Sequence, residues 1–264
     1  MDYFSQMIGS LLRTTAWRMT PPPPYGLFHI GFTLIGVCVS FLMAKKLRNL
    51  SERQHRRFML GIGIFLMVCE LYKQLLHCMV INPGQYSWGD FPFHLCSIPM
   101  YLCVILGFLK TSPFEKSLCS FMMLYNFLGG GISFLEPSGL LHSYVTMTIH
   151  SLLWHMLLVF VGLYLYFSGR GGLEVKDFKS ATVVLLVLCM VAFSLNLLFR
   201  ELSGGSLNAF FIGPSDSPLI VFHWISQTFG WYICTPIYIT TLCFGAWLIH
   251  QIMRLCKNRS KRQD

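Results

Sequence analysis

The chain has 264 residues, of which 54% are hydrophobic and 12% are charged, and its formal net charge is +9. An ordinary soluble domain is about a quarter charged, so this composition, with a mean hydropathy of +0.57, argues against a soluble globular domain. It also excludes a disordered chain and a small secreted disulfide scaffold. The predicted fold class is an all-α, polytopic membrane protein, because backbone in lipid must satisfy its own hydrogen bonds.

Residues 1–25 are predicted to form an interfacial segment. They lack the basic start, apolar core and small-residue cleavage site of a signal peptide, and the four prolines at 21–24 end any helix before them. Apolar residues at helical spacing predict a short amphipathic helix lying on the membrane. These residues are Phe4, Met7, Ile8, Leu11 and Leu12.

The middle of the chain, residues 26–252, is predicted to be a seven-helix transmembrane domain followed by a basic tail at 253–264. Each apolar run has about 20 residues or more, which is enough to cross the hydrocarbon core of a bilayer. The seven runs are 26–44, 58–80, 91–109, 116–135, 141–167, 178–199 and 229–252.

The basic residues predict the orientation of these spans. Alternate connections and the tail, at 45–57, 110–117, 168–179 and 253–264, carry 16 of the 20 lysines and arginines. Positive charge concentrates in cytoplasmic loops, so we expect an outer N-terminus and a cytosolic C-terminus. Because the basic residues lie between apolar runs, we expect contact with anionic lipid and no nucleic-acid partner.

Ionisable residues within the second span form one helical face. Glu70, Lys73, Gln74 and His77 follow the i, i+3, i+4, i+7 pattern. Glu70 and Lys73 are expected to pair, which lowers the cost of placing both charges in the membrane. A functional site and a structural ion pair between helices both remain open as interpretations.

The start of the third span carries a cysteine close to a histidine. Asp90 is predicted to be the N-cap of this helix, with Pro92 in its first turn and Pro99 bending it further on. His94 and Cys96 then lie near the helix N-terminus, where the positive end of the dipole favours a thiolate.

The fifth span and the long 200–228 segment supply further polar residues. His142, Thr146 and His150 follow an i, i+4, i+8 pattern that predicts one polar stripe, whereas His155 falls off that face. The 200–228 segment is too long for a plain turn and is expected to re-enter or to lie on the membrane.

Nearly all intramembrane polar residues fall in the predicted outer half of the bundle, which predicts an outward-facing polar pocket. The supporting pocket residues are Glu70, Lys73, His77, Asp90, His94, Asn126, His142, Asn196, Asn208 and His223.

Three classes of function fit this pocket. A thiol beside a histidine performs acyl transfer, with His150 or His94 as the base and Asn196 or Asn208 as the orienting or oxyanion group. A zinc-dependent hydrolase using His94, Cys96 and the histidines of the fifth span ranks lower, because their spacing matches no tight motif. No metal or cofactor is therefore predicted. The third class is a non-enzymatic receptor, small-solute transporter or assembly factor.

Four stretches carry a resemblance to a known family. They are WGDFPFHLCSIPMYL at 88–102, ELYKQLLH at 70–77, TMTIHSLLWH at 146–155, and NLLF followed by LNAFF at 196–211. Together they resemble the YwaF-like integral membrane proteins, over about residues 26–250.

The bacterial members of this family mostly have no assigned activity, but a distant eukaryotic relative is a transmembrane phospholipid acyltransferase with a catalytic cysteine. The resemblance therefore implies an acyltransferase whose partner is a membrane phospholipid or acyl lipid, in a bacterial plasma membrane. It implies Cys96 as the catalytic cysteine and His150 as the catalytic histidine. Family members often have glycine after this histidine, whereas this chain has Ser151.

Overall fold

The computed structural model describes residues 3–260, and within this range it contains helices and loops without a β-strand. One isolated antiparallel bridge joins Arg18 to Tyr144. The α-helices in chain order are α1 Tyr3–Arg13, α2 Leu27–Leu47, α3 Glu52–Leu76, α4 Ile98–Phe108, α5 Pro113–Phe121, α6 Phe127–Leu135, α7 Val145–Phe167, α8 Val175–Leu198, α9 Ile220–Phe229 and α10 Trp231–Ser260.

Two π-helical turns extend these helices. The turn His77–Ile81 continues α3, and the turn Met122–Asn126 joins α5 to α6 without a break. Among the described residues, six helical rods are long and apolar enough to cross a membrane, and these are Leu27–Leu47, Glu52–Ile81, Pro113–Leu135, Val145–Phe167, Val175–Leu198 and Trp231–Arg259. The predicted all-α, polytopic membrane fold is confirmed.

The predicted third span at 91–109 is wrong in its first half. Helix α4 begins only at Ile98 and has 11 residues, a length of about 16 Å against a hydrocarbon core of about 30 Å. Pro92 disfavours helical backbone at Phe91, which is extended (φ −54°, ψ 129°). Pro99 lies in the first turn of α4 and so starts the helix rather than bending it.

The chain nevertheless crosses the whole bundle between Asp90 and Thr111. Asp90 Oδ2 lies 3.0 Å from His77 Nδ1, where α3 ends. Thr111 donates a hydrogen bond of 3.0 Å to Glu52, where α3 begins. The segment therefore runs antiparallel to α3, first as the irregular stretch 91–97 and then as α4. We call the two ends of the bundle the His77 end and the Glu52 end.

The described ends of the chain lie at opposite ends of the bundle. Near the N-terminus, Thr15 Oγ1 bonds to the hydroxyl of Tyr72 at 2.7 Å, close to the His77 end. Near the C-terminus, the carbonyl of Met253 accepts a hydrogen bond of 3.1 Å from Tyr166, beside the loop that bonds to Glu52 through Arg170.

The basic connections gather at the Glu52 end, as the charge pattern predicts. Arg170 Nη1 lies 2.7 Å from Glu52, and Lys116 Nζ lies 2.9 Å from Asp177. Lys261 and Arg262 of the predicted tail lie outside the described residues. Which end faces the cytosol, and the division into segments 1–25, 26–252 and 253–264, stay predictions.

Helix α1 agrees with an amphipathic helix, although its contact with a membrane stays a prediction. Leu12 is buried against Leu76 and Met147, whereas Met7 and Leu11 are exposed. The side chain of Phe4 lies outside the described residues.

The rod Pro113–Leu135 and helix α7 form the centre of the bundle. In each, 61% of the most apolar stretch is buried, against 17–28% in the other four rods. A Cβ added at Gly162 of α7 would lie 2.7 Å from Phe127 Cβ, so this glycine permits close helix packing. The outer rods turn leucine, isoleucine and valine outward, as lipid requires.

Candidate functional site

A partly open cavity of about 560 Å³ lies at the His77 end of the bundle, opposite the basic loops. The stretch 91–97 and helices α3, α6, α7, α9 and α10 form its walls. It brings together seven of the predicted site residues, namely Glu70, Lys73, Asp90, His94, Cys96, His142 and His150. The predicted clustering of polar residues at one end of the bundle is therefore visible in the structure.

The backbone carrying Cys96 is fixed by side chains from neighbouring elements. Asn126 Nδ2 donates to the Leu95 carbonyl at 2.7 Å, and Trp154 Nε1 donates to the Cys96 carbonyl at 2.9 Å. These bonds satisfy carbonyls that an irregular stretch would otherwise leave unpaired inside the membrane. Asn126 therefore fixes the backbone of the cavity wall without lining the cavity itself. Trp154 is a functional candidate that the sequence analysis missed.

Cys96 precedes the first residue of α4 by two positions, and Ser97 occupies the N-cap position. The expectation that Cys96 lies near a helix N-terminus holds, but the helix starts later than predicted. Its side chain is half-buried and lines the cavity. Among the described residues, no hydrogen bond joins its Sγ to a histidine ring.

Asp90 is not the N-cap of the third span, because it ends the 3₁₀ turn Trp88–Asp90. It pairs instead with His77, on the face of α3 that the sequence predicted. Burial alone would raise the pKa of Asp90, but the neighbouring His77 and Ser87 side chains and the charge of Lys73 hold it below its ordinary value. Asp90 is therefore an ionised carboxylate, and its pairing with His77 connects the turn Trp88–Asp90 to the end of α3.

The predicted polar face of α3 forms a connected network. Lys73 Nζ lies 2.9 Å from Glu70 Oε1, which also accepts a hydrogen bond of 2.6 Å from Gln74. Gln74 donates in addition to the Asp90 carbonyl at 2.7 Å.

Lys73 lies on the wall of the cavity. Cys96 and four histidines line the same cavity, and these histidines are His94, His142, His150 and His155.

His150 lines the cavity next to Trp154. Their rings stack with centroids 5.4 Å apart and an interplanar angle of 26°. Within the described residues, both ring nitrogens are buried and neither has a hydrogen-bond partner. His150 therefore contributes its ring to the cavity wall, and its nitrogens are not committed to another group of the protein.

The predicted stripe on the fifth span is wrong for His142, because α7 begins only at Val145. His142 belongs to the preceding loop, where its Nε2 lies 2.9 Å from Ser151 Oγ. His155, which was predicted to fall off the polar face, also lines the cavity, and its Nδ1 lies 2.8 Å from the Ser151 carbonyl.

Asn196, Asn208 and His223 do not line the cavity. The Asn196 amide donates to the carbonyls of Ala209, Ile212 and Gly213 at 2.8–3.2 Å. Asn208 donates to the Asp216 carbonyl at 2.9 Å, and His223 Nδ1 lies 3.1 Å from the Ser217 carbonyl. Because these amides are engaged with backbone, they do not supply the oxyanion group that the sequence analysis expected.

The 200–228 segment shapes the cavity through two phenylalanines. Phe210 and Phe211 both adopt left-handed backbone, with φ of 57° and 58°. Such strain costs about 1–3 kcal/mol per residue and persists only where the surroundings impose it. Phe211 lies against His94, with ring centroids 5.0 Å apart, so the segment closes one side of the polar region.

The remainder of the wall is apolar and aromatic. It is formed mainly by Leu128, Ile132, Phe222, Tyr238, Leu242 and Phe244. A cavity that combines polar groups with a largely apolar wall suits an amphiphilic ligand.

The comparisons with known proteins give the family of this chain. No curated protein and no solved structure matches it. The YwaF-like label, the acyltransferase activity that it implies and the bacterial plasma membrane stay predictions. A model of the TMEM164 family matches residues 24–249, from the prolines before α2 to the middle of α10. The chain therefore belongs to the TMEM164 family and is a multi-pass membrane protein.

Proposed function

We propose that this protein is a cysteine-dependent acyltransferase acting on membrane phospholipids, with Cys96 as the nucleophile and His150 as the general base. The observation that supports this most is the composition of the single cavity that holds both residues. Its wall combines a thiol, several imidazoles and an ammonium with aromatic and aliphatic side chains. A lipid ester likewise combines a reactive polar group with a hydrocarbon chain.

The apolar walls offer a place for an acyl chain. Phe210, Phe211, Leu219, Phe222 and Leu242 face the cavity. Each methylene that leaves water for such surroundings contributes about 0.8 kcal/mol. For a chain arriving from lipid this gain vanishes, so we expect the walls to select chain shape and length rather than to provide affinity.

The reaction proceeds in two balanced steps. His150 accepts the Sγ proton of Cys96, and the thiolate attacks the ester carbonyl carbon of the donor lipid. The new carbon–sulfur bond forms as the carbon–oxygen bond breaks, and His150 returns the proton to the leaving lysolipid oxygen. A second lipid with a free hydroxyl then attacks the thioester, which transfers the acyl group and restores the thiol.

Lys73 has a supporting role in this proposal. It lines the same cavity as Cys96, and its position is held by the ion pair with Glu70 at 2.9 Å. A fixed positive charge in a dry site stabilises a thiolate and the oxyanion of the tetrahedral intermediate. Lys73 thus takes the role that the sequence analysis gave to Asn196 or Asn208.

The first test compares lipid profiles of cells carrying the wild type, Cys96→Ala, His150→Ala and the control Cys38→Ala at equal protein levels. Cys38 is an exposed cysteine of α2 outside the cavity. We expect wild type and control to shift the same set of acyl chains. Loss of the nucleophile should abolish the shift, and loss of the base should reduce the rate about 100-fold or more.

An intermediate provides a second readout. Purified wild type given a phospholipid donor should gain the mass of one acyl group, removable by hydroxylamine, and Cys96→Ala should not. The proposed acyltransferase activity would be overturned if the lipid profiles of the wild type and the three variants coincide and no acyl adduct forms. The cavity would then be a ligand or transport site built on Glu70, Lys73 and the histidines.

A further inference from the structure

A second group of metal-ligating side chains lies at the Glu52 end, away from the cavity. It consists of His55 on α3 with Glu115 and Cys119 on α5. Their exposed fractions are 1%, 7% and 0%. The proposed acyl transfer uses none of them, so their function is a separate question.

The three side chains converge on one point. His55 Nε2 lies 3.8 Å from Glu115 Oε1, and Cys119 Sγ lies 3.6 Å from the same oxygen. One ligand atom from each residue lies within 4.8 Å of the other two. A tetrahedral zinc with bonds of about 2.0–2.3 Å holds its ligand atoms roughly 3.3–3.8 Å apart, so only a small contraction separates this arrangement from a coordination site.

The orientation of His55 also fits a metal ligand. Its Nδ1 lies 2.8 Å from the hydroxyl of Tyr164, and assigning the ring proton to Nδ1 leaves the Nε2 lone pair facing Glu115 and Cys119. Nε2 is buried and has no hydrogen-bond partner among the described residues. Histidines that bind metals characteristically engage their second nitrogen in this way.

Charge balance supplies an independent argument. Glu115 is buried, and its Oε1 accepts a hydrogen bond from the Cys119 thiol, but among residues 3–260 no lysine or arginine lies within ion-pair distance of it. An uncompensated carboxylate in such a place is costly. A divalent cation bound by one carboxylate, one thiolate and one neutral imidazole makes the site neutral as a whole.

We infer that His55, Glu115 and Cys119 bind a divalent transition metal, and the mixed nitrogen, oxygen and sulfur ligands favour Zn²⁺. Binding forms a metal–sulfur bond at Cys119 and releases the thiol proton to solvent, with no change of oxidation state. The metal joins α3 to α5 just beneath the basic loops, where Arg170 and Glu52 pair at 2.7 Å. Its role is to fix the Glu52 end of the bundle.

The test uses the full chain, purified in detergent without chelators. Metal content is measured by mass spectrometry, and Co²⁺ is then added as the probe. Variants are Cys119→Ser and Tyr164→Phe, with Cys189→Ser as the control, because Cys189 is also a buried helical cysteine but belongs to α8. A cobalt–thiolate charge-transfer band reports directly on the Cys119 ligand.

We expect about one zinc per chain and a charge-transfer band in the wild type and in Cys189→Ser. Cys119→Ser should lose the band. Tyr164→Phe should keep the band but bind the metal about 10-fold to 100-fold more weakly, because only the orientation of His55 is affected. Lipid acyl transfer is measured separately, so failure of this site and failure of the proposed function are distinguishable.

Two results would overturn the inference. One is a folded wild type that holds no zinc and gives no band on Co²⁺ titration. The other is equal metal loading in the wild type and a folded Cys119→Ser variant, which would place the metal elsewhere, for example on the cavity histidines. If Cys119→Ser does not fold, Tyr164→Phe decides: weaker metal binding than in the wild type supports the site, and equal binding contradicts it.

Discussion

Trp154 links the two residues on which the proposed chemistry depends. Its indole nitrogen donates to the Cys96 carbonyl, and its ring stacks on His150. One side chain therefore sets both the position of the thiol-bearing backbone and the plane of the imidazole. Trp154 is a positioning residue, since it acts through Cys96 and His150.

Changing Trp154 to phenylalanine tests this role. The ring that stacks on His150 stays, while the hydrogen bond to Cys96 is lost, and we expect the protein to lose about 1 kcal/mol of stability. Acyl transfer should fall about 10-fold, measured as turnover in reconstituted vesicles, because misplacement of a reacting group is costly. Trp247→Phe on the exposed face of α10 is the control, and equal turnover in both variants would contradict the role.

At the scale of single residues, the sequence is a better guide to which side chains line the cavity than to the contacts that hold those side chains in place. Glu70, Lys73, His94, Cys96 and His150 stand out because polar groups are expensive in lipid, and all five line the cavity. Trp154 carries no such signal, because tryptophan is ordinary in an apolar helix and its single N–H becomes informative only when its acceptor is known. The roles of the five residues stay predictions.

Among the elements, the stretch around Phe210 depends most on a single residue. Asn196 of α8 accepts a hydrogen bond of 2.7 Å from the Ala209 amide and donates to three carbonyls of the same stretch. It thereby holds Phe210 and Phe211 in left-handed backbone against one side of the cavity.

Asn196→Ala should release this stretch. The substitution leaves a buried amide and carbonyls unpaired, so we expect the free energy of unfolding to fall by about 3 kcal/mol. Thermal unfolding in detergent measures this loss, and ligand binding in the cavity is followed in parallel. Asn208→Ala, which removes one hydrogen bond to the Asp216 carbonyl, should cost about 1 kcal/mol. Similar losses from both variants would show that Asn196 does not anchor the stretch.

Helix boundaries show where sequence patterns succeed. Uninterrupted apolar runs become long rods within a few residues of the predicted limits, as for α7 and α8. The run 91–109 differs because Pro92 and Pro99 restrict the backbone, while protein on all sides satisfies the carbonyls that a helix would have satisfied internally. Hydropathy measures only the preference for an apolar environment. It does not indicate whether a carbonyl in that environment bonds within a helix or to neighbouring side chains.

On the scale of the whole molecule, charge is separated along the bundle axis. The basic connections gather at the Glu52 end, and the polar cavity occupies the His77 end. Contacts between distant loops establish this arrangement in the structure, whereas the sequence predicts it from the alternation of charged connections. If the positive-inside rule holds, the cavity belongs to the outer leaflet.

Tags fused to the two termini test that orientation in intact cells. We expect an N-terminal tag to be accessible to antibody from outside and a C-terminal tag to be accessible only after permeabilisation, because basic loops stay on the cytosolic side. A soluble cytosolic protein with the same tag controls for leakage. The reverse pattern would place the cavity in the cytosolic leaflet, and two tags on one side would contradict seven crossings.

The way in which the stretch 91–97 is held has a consequence for how this protein can change over time. Asn126, Trp154 and Tyr101 bind the carbonyls of Leu95, Cys96 and Pro92. Every amino acid has a carbonyl, so these anchors do not depend on which side chain stands at those positions. Substitutions of side chains that face the cavity, such as His94 and Cys96, can therefore alter its chemistry while the path of the chain is preserved.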